Sequence, residues 1–162
     1  MSLIRQVGFD MAFQFSYSMR EGSHAHRNLT DDVPPEVKQR RLKEMIDLFV
    51  EEQAPRNQKE VGRVHLLLLE GRAKRDQTTL LGKTDCYKSG YVPGGRVAVW
   101  GGGEKEMAIG DYVAVVVERA APRALYCRPL AVLPLLRDFY DNQDHFITLA
   151  NSSVPLPLTD TA

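Results

Sequence analysis

His24 and His26 stand two apart, with Asp31 and Asp32 close behind, so imidazole and carboxylate groups are concentrated in the polar stretch 23–32. A His-x-His pair can chelate a metal from a loop, and the same residues also make an ordinary solvated loop; no metal site is assigned to them. Cys86 and Cys127 are the two cysteines. They stand alone, so they supply neither zinc spacing nor the Cys-x-x-x-Cys-x-x-Cys run that holds an iron–sulfur cluster. Two cysteines in 162 residues do not make a disulfide framework, and free thiols in a reducing compartment are expected. The glycine run Gly101–Gly103 does not open a helix with a Lys-Ser/Thr pair, so it is no phosphate loop. No serine sits in a G-x-S-x-G context. No catalytic residue is assigned, and a stand-alone enzyme is not supported.

Binding chemistry is better represented. Three basic residues, Arg72, Lys74 and Arg75, fall within four positions just after an apolar run. Lys83, Tyr87, Lys88 and Tyr91 follow within twenty residues. Aromatic side chains beside basic ones suit stacking on bases with charge on phosphates, the equipment of an RNA binder. Two other readings stand beside it: the cluster solubilises a loop, and the tyrosines plug a core. Tyr17-Ser18-Met19-Arg20 ends an aromatic stretch, where α/β barrels place ligand-binding groups, and Tyr17, Ser18 and Arg20 form a candidate ligand-facing set.

These residues need elements to position them. Val64 to Leu69 is apolar apart from His65 and is stopped by Glu70 and Gly71, which predicts a buried strand ending in a turn. Further strands are predicted over Gly82–Val92, Arg96–Trp100, Tyr112–Glu118 and Ala124–Leu130. Five short strands with Gly/Pro punctuation predict a small closed barrel, which removes exposed edges. Upstream, Phe9, Met11, Phe13, Phe15 and Tyr17 alternate with smaller or polar residues, predicting a strand over 9–17 that needs a sheet this chain does not supply. Residues 34–53 read as a helix with a Leu42/Met45/Ile46/Phe49 stripe, ended or kinked at Pro55. The polar stretch 53–60 is the predicted domain boundary. Residues 134–146 are predicted as a short helix lined by Leu135, Leu136, Phe139 and Tyr140, and the Ser/Thr/Pro-rich tail from Ala150 as disordered.

Net charge is zero but uneven: residues 61–130 hold 11 Lys/Arg against 7 Asp/Glu. That excess permits nucleic-acid binding without requiring it. No stretch approaches the roughly 18 apolar residues of a membrane span, so no membrane partner is expected. The N-terminal residues show neither a signal-peptide core nor an Arg- and Ser-rich presequence.

The joint pattern is more specific than any part of it. Residues 13–42, FQFSYSMREGSHAHRNLTDDVPPEVKQRRL, resemble the C-terminal end of the radical-SAM domain in MiaB-type tRNA methylthiotransferases, through Tyr17, Ser18, Arg20, Val33, Pro34, Lys38, Arg41 and Leu42. Val61-Gly62, LLLLEGRAKR, the Leu-x-Gly-Lys-x-Asp step LLGKTD (Leu80 followed by Leu81 to Asp85) and Gly110-Asp111-x-Val113 resemble the TRAM domain that follows. The wording of the upstream segments is closest to the eukaryotic, mitochondrial branch. Where the family usually has a glycine after the leucine of the last strand, this chain has Tyr126 and Cys127 after Leu125.

The resemblance implies an α+β chain: a residual strand and helix of a radical-SAM α/β barrel over 1–56, a small antiparallel five-stranded TRAM barrel (OB-like) over 61–130, and a short helix with a tail over 131–162. It implies tRNA as partner, with Arg72, Lys74, Arg75, Lys83, Lys88 and Tyr87 as RNA-binding residues. The family uses two 4Fe–4S clusters and S-adenosylmethionine to convert N6-isopentenyladenosine beside the anticodon to its 2-methylthio form. The cluster cysteines are missing here, so no cofactor is expected on this chain, and tRNA binding without catalysis is. The alternative is an interaction module docking onto a separate catalytic half, the missing radical-SAM part. A mitochondrial or cytoplasmic location is expected.

Overall fold

The computed structural model describes residues 1–152 and divides them into two compact units, residues 1–56 and the remainder from Asn57. The predicted disorder of the tail lies, from residue 153 on, outside the described residues; before that point helix replaces it.

The N-terminal unit holds α1 (Ser2–Val7), α2 (His24–Asn28) and most of α3 (Pro35–Gln58). Pro35 opens α3, where its missing N–H costs nothing. The apolar stripe is confirmed at Leu48 and Phe49, which are buried, while Leu42, Met45 and Ile46 are half-buried. Pro55 neither ends the helix nor marks a linker, because α3 runs on to Gln58. The turn beyond it is anchored by Asn57, whose side-chain amide donates to the carbonyls of Ala121 and Pro122, each at 3.1 Å. The boundary predicted over 53–60 is therefore helical as far as Gln58, and the division between the two units falls within it, after Arg56.

Residues 9–17 form no strand. Their alternation is genuine, but they have no ladder partner among the described residues, and a lone strand leaves its backbone groups unpaired. Side chains of α3 hold the segment instead: Gln53 Nε2 donates to the Asp10 carbonyl at 2.8 Å, and Arg56 donates to the Gly8 carbonyl.

The second unit is a closed barrel. Its strands are β1 (Val64–Arg72), β2 (Thr79–Thr84), β3 (Ser89–Pro93), β6 (Tyr112–Ala121) and β7 (Ala124–Leu133), in the order β1-β2-β3-β7-β6 with β6 returning to β1. Every pairing is antiparallel except β3 with β7, which is parallel. The predicted strand over Gly82–Val92 is in fact two strands joined by a turn at Asp85–Lys88, where Tyr87 takes φ 61° and its N–H bonds the Thr84 carbonyl at 2.8 Å. The predicted strand over Arg96–Trp100 is not in the barrel. It becomes β4 (Arg96–Ala98), which pairs only with β5 (Glu104–Glu106) in a separate hairpin. Gly101–Gly103 are the tip of that hairpin, all at φ between 84° and 123°, which accounts for the glycine run.

Gly82 is required by close approach. A Cβ there would lie 1.8 Å from the Leu68 carbonyl oxygen, next to the register shift in β1 between Leu69 and Gly71. Inside the barrel pack Leu67, Leu69, Leu80, Val92, Val113, Val115, Val117 and Leu125. The other face of β1 and β6 is also covered. Leu66, Ala114 and Val116 pack with Phe139 of α4 (Leu136–Asp141) and Phe146 of α5 (Gln143–Ser152). Burial on both faces is why VAVVV in β6 carries no polar alternation. Only Phe139 of the four predicted contact residues is buried; Leu135, Leu136 and Tyr140 are exposed, and Phe146 supplies the second ring. Burying each phenylalanine contributes roughly 1.5–3 kcal/mol.

Candidate nucleic-acid interface

The turn between β1 and β2, residues 73–78, is built around Asp76. Its carboxylate accepts from the Thr78 N–H at 2.9 Å and the Thr78 hydroxyl at 2.6 Å, and from the Thr79 hydroxyl. These bonds, the Thr78 hydroxyl first, hold its pKa down to about 2. Arg72 braces the same turn, donating from Nη1 to the Gln77 carbonyl at 2.7 Å. Lys74 and Arg75 are thereby presented at the surface, and neither has an acidic partner among the described residues. They wall a cavity of about 600 Å³ whose floor is Leu81, Tyr91 and Tyr126.

That floor follows from register. Leu81 pairs with Tyr91, Tyr91 with Tyr126, and Tyr126 with Arg119, so the four form one row across β2, β3, β7 and β6 on the outer face of the barrel. The Tyr91 and Tyr126 rings stack with centroids 5.6 Å apart and planes 23° apart. The Arg119 guanidinium carbon lies 3.7 Å from the centre of the Tyr126 ring. One row on, about 7 Å along the strands, Lys83 pairs across to Ser89, donating to its hydroxyl at 2.9 Å, and its ammonium lies 5.1 Å from the centre of the exposed Tyr87 ring. The tyrosines do not plug the barrel.

Lys88 must be removed from the RNA-binding set. It is 3% exposed, ion-paired to Glu60 at 3.3 Å and donating to Asn57 Oδ1 at 3.1 Å. A buried, paired ammonium cannot reach a phosphate. Glu60 also faces His65 Nε2 at 3.1 Å, and Asp85 faces His65 Nδ1 at 3.1 Å. A carboxylate at each ring nitrogen favours the form of His65 that donates from both, the imidazolium. Burial works against that charge, but the hydrogen bond and charge of Asp85, then those of Glu60, outweigh it and raise the His65 pKa. Burial likewise pushes the Glu60 carboxyl up, and Lys88 and His65 outweigh it and hold it below the ordinary range. The ligand atoms of His65, Asp85 and Cys86 lie within 4.8 Å of one another, and a metal there would have to displace the His65 proton that faces Asp85.

Elsewhere, Tyr17 lines a cavity of about 500 Å³ in the N-terminal unit with the Lys38 ammonium 5.3 Å from its ring centre, while Ser18 and Arg20 are exposed. His24 and His26 lie exposed on α2. Cys86 is exposed and Cys127 lies in the barrel core, where burial pushes its thiol up to about 12. Two thiols do not by themselves fit an iron–sulfur cluster, which takes several thiolates converging on one point. Sequence reasoning missed Arg119 and Tyr126. The signal was there: Ala121 pairs with Ala124 around a two-residue turn, and counting outward pairs 119 with 126.

A closed five-stranded barrel with a basic β1–β2 turn is the architecture of a TRAM domain, and residues 58–130 match that family. The chain is 42% identical over 149 residues to a CDK5RAP1-like protein of Oryza sativa subsp. japonica, covering 88% of this chain and 24% of that one. It is 42% identical over 126 residues to the mitochondrial tRNA methylthiotransferase CDK5RAP1 of Homo sapiens, covering 76% and 21%. It is 36% identical over 129 residues to the tRNA-2-methylthio-N(6)-dimethylallyladenosine synthase of Azobacteroides pseudotrichonymphae, covering 80% and 26%. The chain belongs to the MiaB-type tRNA methylthiotransferase family and corresponds to its C-terminal region, TRAM domain included. It spans about a quarter of the length of these relatives.

Proposed function

We propose that this chain is the tRNA-binding C-terminal portion of a methylthiotransferase acting on N6-isopentenyladenosine beside the anticodon. The observation that carries the reading is the β1–β2 turn, which holds Lys74 and Arg75 without acidic partners beside a tyrosine-floored cavity. Such cations fit phosphates, which position a protein on RNA without reading sequence. The chemistry of transfer, with its two 4Fe–4S clusters and S-adenosylmethionine, belongs in this reading to the radical-SAM part. Relatives named as mitochondrial support a mitochondrial site of action.

Binding of the chain to tRNA, followed by fluorescence anisotropy across a salt series, is expected to weaken with a log–log slope of about −0.7 to −0.9 per neutralised phosphate. Replacing Lys74 and Arg75 with Ala lowers affinity for all tRNAs alike and makes the slope shallower. Adding Arg72→Ala lowers it further by loosening the turn. Binding that ignores salt, or no binding, overturns the reading.

A second reading of the N-terminal unit rests on Phe13 and Phe15, 70% and 80% exposed. An apolar surface of that kind marks a partner, here a separate catalytic half. Purified beside a radical-SAM domain, the chain then elutes as a complex of the summed mass; a clean monomer overturns it.

A further inference from the structure

We infer that the cavity beside the β1–β2 turn takes an unpaired RNA base, stacked on the Tyr126–Tyr91 pair, with its flanking phosphates on Lys74, Arg75 and Arg119; this rests on the tRNA-binding reading and names the part of tRNA it takes. Phosphate contacts alone need only the exposed cations. They do not account for two tyrosines that the parallel β3–β7 pairing lays ring against ring on the outer face, where water would otherwise cover them. Nor do they account for the Arg119 guanidinium over the face of the Tyr126 ring, where an incoming base takes the guanidinium's place and frees it for a phosphate.

The shape points to a single nucleotide. The cavity of about 600 Å³ has an aromatic and aliphatic floor and a polar wall from the turn, which Arg72 braces. In that wall Lys74 and Arg75 outnumber Asp76, whose carboxylate is taken up by Thr78 and Thr79. A base's flat face needs the floor, and the phosphates on either side of it need the wall. A paired helix cannot use such a site, because its bases already stack on one another and its deep groove admits no side chains. The ligand class is therefore a loop or an end of a folded RNA, not its stems.

The test uses the full chain with two probes of equal length: a single-stranded RNA carrying 2-aminopurine and a blunt RNA duplex. Stacking quenches 2-aminopurine, so the single strand is expected to lose fluorescence on binding. Tyr126→Ala abolishes the quench and weakens single-strand binding by about tenfold, with the duplex affinity unchanged. Tyr126→Phe retains the quench, which separates loss of the ring from loss of fold. Lys74→Ala weakens both probes. An intact quench in Tyr126→Ala, or equal losses for the two probes, overturns the stacking site while the tRNA-binding reading stands. A wild-type chain that binds tRNA and neither probe also overturns the site alone. No binding of any RNA, tRNA included, overturns both.

Discussion

At the scale of single residues, the chain uses its ionisable groups in two ways. Lys74 and Arg75 stand exposed with no acidic partner among the described residues, whereas Glu60, His65, Asp85 and Lys88 are paired with one another. The second group gives stability a pH signature. His65 has its folded pKa raised, so its contribution is complete below the ordinary histidine value near ~6.5 and is lost as pH rises through the folded value. Glu60 has its folded pKa lowered, so its contribution is complete above the ordinary carboxylate value and is lost as pH falls through the folded one. The contribution of these two groups is therefore greatest in mild acid and falls toward alkaline pH. Urea midpoints from about pH 5 to about pH 9 are expected to show this decline in the wild type and a flatter alkaline limb in His65→Gln; identical profiles would remove His65 as the cause. The sequence could not reveal the group. Lys88 looked like one more cation in a basic stretch, and its burial is set by Asn57 and Glu60, which lay in what read as a linker.

At the scale of elements, the strands with continuous apolar runs were legible, as was the mixed stretch that begins β7, while the bounds of the other mixed strands were not. β1 and β6 announce themselves because both faces are buried, one by the barrel core and one by α4 and α5. Gly82–Val92 read as one strand because its turn contains no glycine or proline; Tyr87 takes the positive φ that a glycine would normally provide. The stretch over 9–17 fails in the opposite sense. Its period of two is strong, but a pattern specifies which face is apolar and not whether a neighbour exists. Phe146 escaped notice because the helix carrying it runs into the polar tail, where composition argued for disorder. The basic half of the candidate interface was legible as a run of residues. Of the aromatic half Tyr91 was legible but its partner Tyr126 was not, since the two are 35 positions apart and meet through a parallel pairing.

At the scale of the whole molecule, that pairing has a further consequence. The barrel is a ring with one thin joint: β3 and β7 are bridged only at Gly90–Leu125 and Tyr91–Tyr126, while the β6–β7 ladder runs nearly the full length of both strands. A ring opens where its joint is thinnest, and the proposed ligand lies across that joint. A base resting on both tyrosines can be held only while the ring is shut, so each bound RNA draws the equilibrium toward closure by mass action. The amides of β3 are then expected to exchange with solvent faster than those of β6 in the free chain, and to slow when RNA is added; exchange in β3 that ignores RNA would count against it. The RNA would thus work as a clasp, and the domain's grip on its substrate would also be its resistance to coming undone.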